Sequence, residues 1–215
     1  RMSTGTECKE FMAVNESPLL ISGSGSNNYI YSLDFIPSTS LIGAFLSTKV
    51  KDYDPSKKAR LEYSLTVTDA YPGDGVPYLA TLRSDESKKG VIYDQARRLV
   101  LRLLGKDFRA DIRLKKGPSY WRLSNNGIEE VTVKRVELSF LPISMKTRTS
   151  LKGALAHVSA IAPGTEFRFT ACGGDLGEFT DSLKEGLYVG SKRSSGFGLI
   201  RGRAVGTKQV RGEPV

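Results

Sequence analysis

The run from Glu7 to Val14, leading through Ser17-Pro18-Leu19-Leu20-Ile21, predicts a strand. It ends in the polar loop Ser22–Asn28, which holds no charged and no apolar side chain. Leu41, Ile42, Phe45 and Leu46 then recur at i, i+1, i+4 and i+5, one face of a helix, with Ser38 or Thr39 placed to cap it. Val50–Arg60 is polar and lysine-rich, a surface connection. Leu61–Thr68 alternates as a strand with Leu61, Tyr63, Leu65 and Val67 on one side. Glycines, prolines and mixed charges over residues 69–90 predict a long loop or insertion. A second helical stripe follows at Ile92, Ala96, Leu99, Val100 and Leu103, stopped by Gly105.

Strand patterns dominate the remainder. Phe108–Lys115 alternates, Asn125-Asn126-Gly127 predicts a hairpin turn, and Ile128–Phe140 continues as one long strand. The apolar phase of that strand shifts from Val131 and Val133 to Val136, Leu138 and Phe140, which predicts a bulge near Lys134-Arg135. Leu151–Ile161 suits helix or strand by periodicity; Pro163-Gly164 terminates it, Phe167, Phe169 and Ala171 alternate after the turn, and a hairpin is the favoured reading. Asp181–Val189 predicts a short helix and Leu199–Val205 a final strand. This order of elements predicts an α+β sheet with helices on one face.

The 215 residues suit a single domain over 2–211 with an insertion around 69–90; Arg1, ahead of Met2, is read as foreign to the natural chain. At 39% hydrophobic and 26% charged residues, disorder and collagen-like structure are excluded. Thirty-two basic residues against 23 acidic ones leave a net charge of +9, so a polyanion is the first partner to consider. Cys8 and Cys172 are too few for a disulfide framework and lack the spacing of a zinc site, which favours a reducing, cytoplasmic location. No apolar stretch approaches a membrane span, and no membrane partner is expected.

The most informative segment for chemistry is Gly190-Ser191-Lys192-Arg193-Ser194-Ser195-Gly196-Phe197-Gly198. Glycine-rich turns can aim successive amides at an anion, and six basic residues (Lys192, Arg193, Arg201, Arg203, Lys208, Arg211) with no acid lie between Ser191 and Arg211. A phosphate backbone is the natural ligand; a tight turn followed by a solvated basic edge is the plainer alternative. A P-loop is excluded by spacing, because Gly196 and Gly198 are followed by the apolar Leu199-Ile200 and not by Lys-Ser/Thr opening a helix.

Three colinear segments resemble the RAMP (repeat-associated mysterious protein) superfamily of CRISPR effector subunits. Phe35-Ile36-Pro37-Ser38-Thr39-Ser40-Leu41-Ile42-Gly43-Ala44-Phe45 is similar to the family's Y-I-P-G-S-S-L-x-G-A-L-R segment. Arg148-Thr149-Ser150, running through Ala154-Leu155 to Pro163-Gly164-Thr165-Glu166-Phe167, resembles the stretch ending P-G-T-x-F. Lys192–Gly198 resembles the C-terminal loop G-x-x-K-S-R-G-x-G. Ser38 stands where the family often has glycine, and Ile42 where a basic residue is common. Thr68-Asp69-Ala70-Tyr71-Pro72 followed by Pro77-Tyr78-Leu79 is further similar to a type III-D subunit.

The resemblance implies a ferredoxin-like, RRM-type RAMP fold with loop insertions, and a subunit that binds guide RNA (crRNA) in a type III effector complex for antiviral defence. Its partners would be other effector subunits and, indirectly, target RNA. The RNA-binding positions it implies are Ser38, Thr39, Ser40, Arg148, Gly190, Lys192, Arg193, Ser194, Ser195, Gly196, Phe197, Gly198 and Arg201. Valine at Gly196 or Gly198 is expected to harm RNA binding more than stability. Tyr29, Tyr31, Tyr188 and Phe197, in or beside the two loops, are positioned to stack bases.

Two residues point to cleavage instead. His157, the single histidine, suits general acid–base chemistry near neutrality, but it lies away from the early helix where processing histidines of this superfamily commonly sit. Asp34 resembles the metal-binding aspartate of target-cleaving backbone subunits, which generally sits further upstream in the loop. A non-catalytic role with no metal or cofactor is the reading taken. Target-RNA cleavage, or a stand-alone RRM-like RNA-binding protein, is the alternative.

Overall fold

The computed structural model describes residues 7–26, 28–50, 63–78, 81–85, 92–106, 114–116, 119–124, 127–141, 143, 148–149 and 155–209. The chain begins with β1 (Glu7–Asn15), β2 (Ser22–Ser26), β3 (Tyr29–Ser32), α1 (Ser38–Lys49), β4 (Thr66–Val67) and β5 (Tyr71–Pro72). It continues with β6 (Val76–Pro77), β7 (Leu82–Asp85), β8 (Ile92–Asp94), α2 (Gln95–Leu103), β9 (Leu114–Lys116), β10 (Tyr120–Ser124) and β11 (Gly127–Val131). The last stretch holds β12 (Arg135–Phe140), β13 (Ala156–Ile161), β14 (Glu166–Cys172), α3 (Leu176–Glu185), β15 (Leu187–Tyr188) and β16 (Leu199–Gln209). Two units result, Arg1–Gly73 with Val133–Val215, and Asp74–Thr132.

In the first unit, β16, β1, β14 and β4 lie side by side in that order, each pair antiparallel. Read along the chain as β1-α1-β4-β14-α3-β16, this is the ferredoxin-like arrangement. Period-two burial builds it: Phe11 and Ala13 on β1, and Phe167, Phe169 and Ala171 on β14, all turn to one face. Leu41, Ala44 and Phe45 of α1 and Leu176, Phe179 and Leu183 of α3 complete that core. Phe179 sits at its centre, with its ring edge-on to Phe11 and Phe45 (both 5.5 Å) and to Phe169 at 6.1 Å.

A second sheet of this unit has the order β12-β13-β3-β2, with β13 parallel to β3. One of its faces packs Ile30, Val136, Leu138, Val158, Ala160 and Phe140 against Leu20 and Phe197. The second unit contains the three-stranded sheets β11-β10-β6 and β8-β7-β9 together with α2, whose N-terminus is capped by Asp94 accepting from the Ala96 amide at 2.9 Å.

Several expectations change. Pro37, not Ser38 or Thr39, is the N-cap of α1 and makes no side-chain bond; the Asp69 carboxylate reaches in from the β4–β5 connection to accept from the Ser38 amide at 2.7 Å. The polar stretch after Ile21 pairs with β3 as β2, because short uncharged side chains fit an edge strand as well as a loop. Among the described residues of the predicted Leu61–Thr68 strand, Thr66–Val67 form the paired strand; Leu65 and Val67 are buried and Tyr63 is exposed. Val50 closes α1, and the rest of the predicted 50–60 connection lies outside the described residues, as do Leu61 and most of the predicted 108–115 strand.

Leu99, Val100 and Leu103 of α2 are exposed, so the helix that completes the ferredoxin core is α3. It spans Leu176–Glu185 and not the predicted 181–189, because Gly186, at φ +120°, ends it. The phase shift near Lys134-Arg135 is no bulge; it marks where the chain leaves the second unit between Thr132 and Val133. Beta13 and β14 are likewise no hairpin, since each joins a different sheet. Beta10 and β11 pair antiparallel with Ser124 opposite Gly127, the register a hairpin there requires, while Asn125 and Asn126 of the predicted turn lie outside the described residues. Cys8 and Cys172 face each other across β1 and β14 and are disulfide-bonded, contrary to the inference drawn from their number.

Fully buried Asn15 ties the end of β1 to the Pro163-Gly164 turn. Its amide donates to the carbonyls of Ser17 at 2.9 Å and Ala162 at 3.0 Å, and its side-chain oxygen accepts from the Thr165 amide at 2.8 Å. Asn15→Leu removes three hydrogen bonds to backbone groups, of which the Ala162 carbonyl keeps another donor in the Thr165 hydroxyl at 3.0 Å, and is expected to cost about 2–4 kcal/mol, read as a lowered midpoint of urea unfolding.

Candidate nucleic-acid interface

The loop after β15 is stitched to the segment before β2. Gly198 N–H donates to Pro18 O at 2.9 Å, Ser191 N–H to Leu20 O at 2.8 Å, and Leu199 N–H to Ser17 Oγ at 2.9 Å. Within it, Arg193–Ser195 form a 3₁₀ turn flanked by Lys192 and Gly196, both left-handed. The amides of Ser191 and of Ser195 through Gly198 already donate to backbone carbonyls. An anion held here is therefore met chiefly by side chains and not by a full ring of amides.

This stitching places the loop opposite α1. A cleft of about 470 Å³ lies between them, lined by Ser22, Ser40, Gly43, Tyr188, Ser191 and Arg193 among others. A second hollow of about 410 Å³ shares Ser47, Tyr188 and Arg193 with it and extends to Thr48 and Gly186. Arg193 is exposed and has no carboxylate partner among the described residues. Tyr188 presents a half-exposed ring, and the hydroxyls of Ser22 and Ser191 lie 2.9 Å apart in the lining of the cleft. One unpaired cation, one exposed ring and small hydroxylated side chains along an open groove suit a phosphate–base strand.

Of the predicted positions, Ser40, Gly190 and Arg193 line the cleft. Ser194, Ser195 and Gly196 are exposed on the adjoining turn. Ser38 spends its amide on Asp69, so the helix N-terminus is already occupied by a carboxylate; Thr39 is exposed. Lys192 is held with its ammonium 4.4 Å from the centre of the Phe140 ring. Phe197 is buried, 6.0 Å from Phe140, and is a core residue and not a stacking platform. Gly198 is buried with its backbone against Val189, a structural position. Arg201 is engaged by Glu16 at 3.1 Å and by the Glu185 carbonyl at 3.0 Å. Arg148, exposed at φ +52°, is not among the residues that line the cleft.

Sequence reasoning did not assign Ser22 or Ser47 to the site, and it left Ser191 out of the RNA-binding positions although that residue lies in the loop it singled out. It also passed over Gly43, whose position was signalled by a glycine in mid-helix, where it costs about 1 kcal/mol relative to alanine. Gly43 is exposed with open space where a Cβ would stand, so glycine keeps that wall of the cleft flat.

The two candidate catalytic residues both belong to the second sheet and its margin but at opposite ends of β12, Asp34 beside Arg135 and His157 beside Ser139. Asp34 accepts a short hydrogen bond from Arg135, which also donates to Ser32 O at 2.8 Å. His157 Nδ1 lies 3.0 Å from Ser139 Oγ, and its ring stacks on Tyr29 at 5.7 Å. Beside them Glu137 accepts from Ser159 Oγ at 2.5 Å and from Tyr29 OH at 2.8 Å. Those two hydroxyls, Ser159 foremost, hold the Glu137 carboxyl below its ordinary range, and the bond to Glu137 raises the Tyr29 phenol. No group of three or more His, Cys, Asp and Glu side chains is arranged to hold a metal among the described residues.

The model of the RAMP superfamily matches residues 15–201. The fold is similar to a chain of a type III-B Cmr-β complex bound to cognate target RNA, with TM-score 0.53 and 15% identity over 94% of this chain and 98% of that one. It is also similar to a chain of the Cmr-β complex in its apo state, with TM-score 0.51 and 15% identity over 92% and 97%. No curated protein matches in sequence.

Proposed function

Because the chain belongs to the RAMP superfamily, we propose that it is a non-catalytic subunit of a type III CRISPR effector complex that holds guide RNA in the cleft between α1 and the loop after β15. The observation that carries this reading is Arg193, without a carboxylate partner among the described residues, beside half-exposed Tyr188 in a groove lined by Gly43. The fold shared with type III-B chains, one of them in a complex bound to target RNA, supports membership of an effector complex. Asp34 and His157 are occupied by Arg135 and by Ser139 and Tyr29, which supports a binding role over a cleaving one. Among the described residues no helix is long and apolar enough to cross a membrane.

Arg193→Ala is expected to weaken binding of single-stranded RNA roughly tenfold and to make the slope of log affinity against log salt shallower by about 0.7, one phosphate contact on a single strand. Lys192→Ala is expected to cost less, because its ammonium lies over Phe140. A salt titration followed by fluorescence anisotropy measures both. An Arg193→Ala slope equal to that of the wild type overturns the assignment.

A further inference from the structure

The second sheet of the first unit has two unlike faces. One is buried against Leu20 and Phe197. The other carries Tyr29, Tyr31 and His157, aligned by strand register: His157 is opposite Tyr29 and Ser159 opposite Tyr31 in the parallel β13–β3 pair. Their rings form a row, with Tyr31 to Tyr29 at 4.5 Å and 30° and Tyr29 to His157 at 5.7 Å and 25°. Hydrogen bonds fix Tyr29 and His157. Tyr29 OH donates to Glu137, Glu137 also accepts from Ser159, and Ser139 meets His157 Nδ1. Tyr31 ends the row and stays 46% exposed, and the adjoining edge strand β2 is Ser-Gly-Ser-Gly-Ser, without one bulky residue.

We propose that this row is a nucleobase-stacking platform for single-stranded RNA, with Tyr31 as the ring that receives the base. An aromatic stack left open at one end and already held in register loses little freedom when one more flat ring joins it. The exposed polar neighbours, Glu137 and Ser139, suit a base with its wet edges better than an aliphatic protein surface. Among the described residues no free cation is placed beside Tyr31: Arg135, the nearest in register, is paired with Asp34. Stacking here is therefore predicted to be nearly independent of salt, unlike the Arg193 contact. The platform shares its ligand class with the guide-binding reading but not its site.

The test uses the full chain, labelled single-stranded RNA, and the variants Tyr31→Leu, Tyr31→Phe and Arg193→Ala. Tyr31→Leu is expected to weaken binding by at least about fivefold with an unchanged salt slope, while Tyr31→Phe, which keeps the ring, stays within about twofold of the wild type. Wild-type protein irradiated with thiouridine-substituted RNA should cross-link at Tyr31 or Tyr29, a readout that holds even where Tyr31→Leu fails to fold. Equal affinity for Tyr31→Leu and wild type, or cross-links confined to Tyr188–Ser195, overturns the platform and leaves the cleft reading standing. Cross-links at Tyr31 together with an inert Arg193→Ala support the platform and overturn the cleft.

Discussion

Gly198→Ala is expected to abolish the cooperative melting transition of the native protein, whereas Gly196→Ala is expected to lower its melting temperature by only a few degrees. Both glycines have left-handed backbones, at φ +85° and +84°. The conformational penalty for alanine is therefore alike at the two positions, about 1–2 kcal/mol. Their surroundings differ. A Cβ on Gly198 would lie 2.0 Å from Val189 O, whereas one on Gly196 meets nothing within 4 Å. Relief would need the Val189 carbonyl to move, yet Val189 is fully buried and its amide donates to Gly198 O at 2.8 Å. Gly198 is itself anchored to Pro18, so neither side can give way without opening the loop. Thermal melting by circular dichroism separates the two variants. Similar melting temperatures would mean that the loop does not pack on β15 as described.

The same comparison corrects what the loop's composition implied. Lys192–Gly198 reads as a single phosphate-holding unit because glycines, basic residues and serines all occur in it. Three-dimensionally its members divide: Arg193 faces the cleft, Lys192 covers Phe140, Phe197 enters the core and Gly198 packs on Val189. Composition carries the chemistry of a loop but not the direction of each side chain, and direction decides which residue meets a ligand.

The ferredoxin core was largely legible, because burial follows simple periods. Leu41 and Phe45 on a helix, and Phe167, Phe169 and Ala171 on a strand, show their inward faces in spacing alone. Pairings between distant segments were not. An apolar phase shift at Lys134-Arg135 reads equally as a bulge or as the end of one sheet and the start of another, and only strand pairing distinguishes them. The aromatic row has the same origin, since Tyr29 and His157 lie 128 positions apart in the chain and meet through the β3–β13 register. Asp69 at the start of α1 was hidden for that reason too: a cap supplied from 31 residues away leaves no local signature.

Breaking the Cys8–Cys172 bond is expected to cost the folded protein several kcal/mol without removing any side chain from the core, about 5 kcal/mol at most. The two residues are directly opposite on β1 and β14, with Cα atoms 4.1 Å apart, the close spacing typical of non-hydrogen-bonded antiparallel pairs. The link closes a loop over a sequence separation of 164 residues. In the chain-entropy description, such a closure restricts the unfolded chain by about 5 kcal/mol, and strain or residual structure in the unfolded chain reduces the figure in practice. Because β1 is central in its sheet, with β14 on one side and β16 on the other, the bond secures the two middle strands on which α1 and α3 pack. Unfolded but unreduced protein should therefore offer no thiol to a labelling reagent. Reductant, or the double substitution Cys8→Ala with Cys172→Ala, should lower the melting temperature by about 10 °C or more. Two reactive thiols in unreduced protein, with a melting temperature indifferent to reductant, would show that the strands hold without the link and that the reducing environment inferred from the cysteine count stands.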